Sequence, residues 1–75
     1  MSTTSRSLDP DALAALEEER RFLLRSLDDL EREHEAGDVD DVDYETLKDD
    51  YTARAARTIR SIESHHARMA EARPP

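Results

Sequence analysis

Three histidines, His34, His65 and His66, are the side chains of this chain best suited to hold a transition metal or to move a proton near neutral pH. With no cysteine present, thiolate ligands, disulfides and thiol nucleophiles are excluded. The run Asp38-Val39-Asp40-Asp41-Val42-Asp43 invites a calcium reading, but its spacing is wrong. An EF-hand loop begun at Asp38 needs an oxygen ligand where Val42 stands and a glycine where Asp43 stands. No nucleophile beside a base, no glycine-rich phosphate loop and no constrained carboxylate pair is visible, so we expect neither an enzyme nor a bound cofactor.

The elements that must position these groups read as helices. In 75 residues there are one glycine and three prolines, 40 % of side chains are charged and only 4 % are aromatic. That composition suits helices far better than sheets. Leu8-Asp9-Pro10-Asp11 is a compact helix start, with Asp9 as cap, Pro10 at the first helical position and Leu8 and Leu13 placed as a hydrophobic staple. Gly37 stands where a left-handed cap would end that helix. Asp40 then serves as the next candidate cap, with Asp43 three residues on and Val39 and Tyr44 as a second staple.

These marks predict an all-α chain, a two-helix antiparallel hairpin over residues 9–73 with coiled-coil-like spacing. The helices are expected at about 10–36 and 41–72 with a turn at 37–40, a flexible tail at 1–8 and a tail or linker at 74–75. A loop this short makes the two helices antiparallel neighbours. At helical spacing, Leu13, Leu16, Leu23, Leu24, Leu27, Leu30 and His34 share one stripe, interrupted by Arg20. Tyr44, Leu47, Tyr51, Ala55, Thr58, Ile62, the His65-His66 pair and Met69 share the other. Folding about the turn sets Leu30 near Leu47, Leu27 near Tyr51, Leu23 near Ala55, Arg20 near Thr58, Leu16 near Ile62 and Leu13 near the histidine pair. Leu16, Leu23, Leu27, Leu30, Leu47, Tyr51 and Ile62 are the expected seam.

Two helices leave much of their apolar surface wet, so completion by a second copy or a helical protein partner is expected. Phe22 and Ile59 lie off the seams and, with Leu24 and Arg20, are the candidate partner-binding residues. Arg20 itself has two readings: its head reaches water or Glu17 or Glu63 while its stem packs, or it fixes register and oligomer state as a polar seam residue. The hairpin separates His34 from His65 and His66 by about 30 Å of helix, so one intramolecular metal site cannot use all three. A metal-responsive dimer joining His34 of one copy to His65 and His66 of another is the alternative. The bland reading makes them half-buried seam-edge groups.

Charge is distributed unevenly. Residues 26–51 hold twelve acidic side chains against Arg32 and Lys48, a net of −10 within a total of −8. Such a chain repels nucleic-acid phosphates, so nucleic acid is not an expected partner. An acidic mimic that occupies a basic protein surface is a further alternative. Arg54, Arg57 and Arg68 share one face of the second helix, so the open end could lie near an anionic surface. No apolar run approaches the ~20 residues of a membrane span, and Met1–Ser7 lacks the apolar stretch of a secretory signal. A cytoplasmic location is the expectation.

The segment Leu27-Asp28-Asp29-Leu30-Glu31 through Gly37-Asp38-Val39-Asp40-Asp41-Val42-Asp43-Tyr44-Glu45-Thr46-Leu47-Lys48 resembles the hairpin of the bacterial CcmI-type (cytochrome c-type biogenesis) proteins, over about residues 20–63. It is also similar, more weakly, to the SHOCT oligomerisation hairpin. The first resemblance implies a hairpin adjoining a transmembrane helix in a protein that assists delivery of apocytochrome c to haem attachment. The chain departs from that pattern in showing no membrane span and no tetratricopeptide-type repeat. Were it to continue past Pro75, it would be a cytoplasmic head with its basic end at the inner face of the plasma membrane. No haem ligand or catalytic residue follows, because the matching positions are structural.

Overall fold

The computed structural model describes residues 10–72 and contains two helices, α1 (Pro10–Glu35) and α2 (Asp41–Ala72), folded back on each other as an antiparallel hairpin 54 Å long. The expected tails at 1–8 and 74–75, and the cap and staple at Asp9 and Leu8, lie outside the described residues.

The turn is made by two caps placed back to back. At the end of α1 the Asp38 N–H donates to the Glu33 carbonyl at 2.9 Å and the Gly37 N–H to the His34 carbonyl at 3.1 Å. This is a Schellman arrangement, which needs a left-handed residue between helix and loop, and Gly37 supplies it with φ +81°. The cap takes Ala36 out of the helix, one residue earlier than the expected end. At the start of α2 the Asp43 N–H donates to Asp40 Oδ1 at 2.8 Å, so Asp40 is the N-cap.

Leu23, Leu30, Ala55 and Ile62 are buried in the seam, with Leu23 fully sealed from solvent. Leu16, Leu27 and Tyr51 are half-buried. Three seam expectations are corrected. Leu47 is 39 % exposed, and Tyr44 is buried in its place. A three-residue step lags about 60° around a helix, so once the Tyr44 ring faces α1, Leu47 turns toward the flank. There it borders an open hollow with Ser26, Asp29 and Glu33 as well as Leu30 and Tyr51. Leu24 is likewise 46 % exposed, outside the seam stripe. Finally, Arg20 does not face Thr58: the buried Thr58 hydroxyl donates to Glu19 Oε2 at 2.9 Å, and Arg20 is exposed. Glu19 and Arg20 point about 100° apart, and α2 presents Thr58 on the Glu19 side.

Candidate functional site

Chemistry-bearing side chains collect at the two ends of the hairpin. At the turn, the His34 ring stacks on Tyr44 with centroids 3.8 Å apart and planes 11° from parallel. Its Nε2 lies 2.7 Å from Asp41 Oδ1, so α1's last turn is tied to α2's first. The Tyr44 hydroxyl donates to Glu31 Oε2 across the seam. Lys48 stands 4.0 Å from that same oxygen and 5.4 Å from the Tyr44 ring centre. The hydrogen bond to Glu31, and then burial, raise the Tyr44 phenol above its ordinary 10.0. Lys48 is raised as well, first by the Tyr44 hydroxyl as hydrogen-bond partner and then by the charges developing on Tyr44 and carried by Glu31. Neither group is a poised acid or base near neutrality; both act to hold the turn closed.

At the open end a groove of about 660 Å³ runs along α2, lined by Leu16, Arg57, Arg60, Ser61, Ser64, His65 and Arg68. Arg57, Ser61, Ser64 and Arg68 recur at four- and three-residue steps, which puts them on one side of the helix. None of Arg57, Arg60 and Arg68 forms an ion pair among the described residues, whereas Arg54, one turn earlier, pairs with Asp50 at 3.5 Å. His65 is only 6 % exposed, and its Nε2 has no hydrogen-bond partner. Buried polar atoms ordinarily have one.

The three histidines therefore have three different settings. His34 is half-buried and bonded, His65 is buried with an orphaned nitrogen, and His66 is exposed. Among the described residues no cluster of three or more His, Asp or Glu side chains is placed to hold a metal ion.

Of the four candidate partner-binding residues, Phe22 is 55 % exposed, Leu24 46 % exposed, Arg20 exposed and Ile59 half-buried. They do not form one patch. Phe22 and Leu24 are two residues apart and so project about 200° apart, on opposite flanks of α1. Arg20 falls on the Leu24 flank and pairs with neither Glu17 nor Glu63 among the described residues. The sequence already placed Arg57 and Arg68 on one basic face of the second helix and His65 in the seam; the serines between them at Ser61 and Ser64 and the orphaned His65 nitrogen are what the structure adds.

The fold and these two ends define a helical hairpin with a closed acidic turn and a basic groove. Comparison with protein-family models, with curated proteins and with solved structures finds no match to the chain. Among the described residues no helix is long and apolar enough to cross a membrane.

Proposed function

We propose that this chain is a non-enzymatic helical-hairpin interaction module that works by self-association or by docking against a partner helix. The observation that carries the reading is the exposure of Phe22 and Leu24 halfway along α1, on either side of a seam in which Leu23 is the one large side chain completely buried. Among the described residues no third element covers those flanks, and removing such side chains from water is the usual driving force for helix association. The residues that resemble the CcmI-type hairpin each have a use within this molecule: Gly37 in the left-handed cap, Asp40 as N-cap, Tyr44 in the bond to Glu31. They support the hairpin, and no haem-delivery role is drawn from them.

Sedimentation equilibrium over a hundredfold range of chain concentration tests the proposal. A mass that rises with concentration is expected, and Phe22→Ser with Leu24→Ser should lower it while leaving helicity by circular dichroism intact. A wild-type chain that stays monomeric throughout would remove self-association, and with it this reading in its main form.

A further inference from the structure

The open-end groove has the composition of an anion acceptor, and the molecule itself carries the matching anion. Three arginines that form no ion pair among the described residues, two serines and the edge of His65 line the groove. A second hollow, between Glu19 and Arg54 and sharing Arg57 and Ser61 with the first, continues it toward the middle of the hairpin. Beyond the middle the character reverses. One hollow there is lined by Ser26, Asp29 and Glu33 together with Leu30, Leu47 and Tyr51, and the next, also bordered by Leu47, by Asp38, Asp40 and Asp43. Glu19 and Ser26 are seven residues apart on α1, as are Leu47 and Arg54 on α2, so all four hollows open on the same broad face. Phe22 lies one turn from Ser26 on that flank, near the boundary between the basic and acidic halves.

We infer that this face is the self-association surface, and that two copies pack on it antiparallel, each seating its acidic turn in the arginine groove of the other. The inference rests on the self-association reading above and names its geometry. A two-fold axis near Phe22 lays basic half on acidic half twice with a single contact type, which is the self-complementarity an isologous dimer requires. The hairpin is 54 Å long, which keeps the basic and acidic halves apart along its length. The antiparallel packing gives a use between copies to Arg57, Arg60 and Arg68, which form no ion pair among the described residues, and to the exposed Phe22. Charges placed this way set orientation and exclude the parallel arrangement, in which Asp29, Glu33, Asp38, Asp40 and Asp43 of the two copies would be brought together.

The test uses two charge-reversed forms of the full 75-residue chain, R57E/R60E/R68E and D29K/E33K/D38K. Sedimentation equilibrium at low salt should show the wild type dimerising, with affinity falling as salt rises. Each variant alone should stay monomeric at about tenfold the wild-type midpoint concentration, with helicity unchanged. An equimolar mixture should restore the dimer, because one face is then mainly acidic and the other mainly basic. If either variant dimerises as the wild type does, the face is wrong while self-association stands. If the wild type is monomeric, both readings fall. A wild type that is monomeric but sediments with anionic vesicles through these arginines would assign the groove to a membrane and overturn the proposal.

Discussion

The two ends of this hairpin handle polar groups in opposite ways. At the turn, every group singled out has a partner within the chain: Gly37 and Asp38 donate to α1 carbonyls, Asp40 accepts from Asp43, Tyr44 donates to Glu31, and His34 meets both Asp41 and the Tyr44 ring. At the open end, three arginines form no ion pair and a buried histidine nitrogen has no hydrogen-bond partner among the described residues. The closed end therefore stabilises the fold on its own, whereas the open end is stable in spite of its polar groups. Residues at the turn should resist replacement, and residues of the groove should tolerate it in the isolated hairpin.

Four substitutions break or sharpen that contrast. The largest effect is expected between the two ends: Leu23→Ala empties the one fully sealed site and should cost about 2–5 kcal/mol in thermal or urea unfolding. Gly37→Ala comes next. A Cβ there meets no atom within 4 Å, so the penalty is purely that of a left-handed backbone, about 1–2 kcal/mol. A smaller effect of opposite sign is expected from His65→Leu, which removes the orphaned nitrogen and should raise the melting temperature of the isolated hairpin by the equivalent of about 1 kcal/mol. A loss of stability on that change would erase the contrast between the ends.

The smallest effect near neutrality belongs to Tyr44→Phe, and its signature is in the pH dependence. Because Tyr44 and Lys48 hold their protons more tightly folded than unfolded, the folded state binds more protons at alkaline pH. Their contribution is complete below the ordinary Tyr44 value of 10.0 and is lost as pH climbs through the raised folded values. Chemical denaturation from pH 8 to pH 11 should show wild-type stability declining at the top of that range and a shallower decline in Tyr44→Phe. Identical slopes would show that the Glu31 bond does not form in solution.

The caps and the element order were legible because each is written in one or two adjacent residues: a lone glycine for the left-handed turn, then an aspartate three residues before the N–H it accepts from. The seam was legible in Leu23, Leu30 and Ile62, where the periodic stripe is unambiguous. It misled at Leu47 and Arg20. Each lies within about 60° of a buried neighbour, and which of two such residues turns inward depends on what the other helix offers. For Leu47 the inward place was taken by the Tyr44 ring, which bonds Glu31; for Arg20 the facing group was Thr58, already taken by Glu19. The stacking of His34 on Tyr44 and the orphaned His65 nitrogen were not legible, because ring orientation and hydrogen-bond satisfaction are settled only when both helices are in place.

The bond between Thr58 and Glu19 has a mechanical consequence. It joins residues 39 positions apart, and Thr58 is 4 % exposed. Sliding one helix past the other by a turn, about 5.4 Å, would strand that hydroxyl in an apolar seam, at roughly 1–3 kcal/mol. The bond thus works as a detent, so that a pull on one strand of the hairpin is carried to the bend as by a keyed strut and is not spent in slippage.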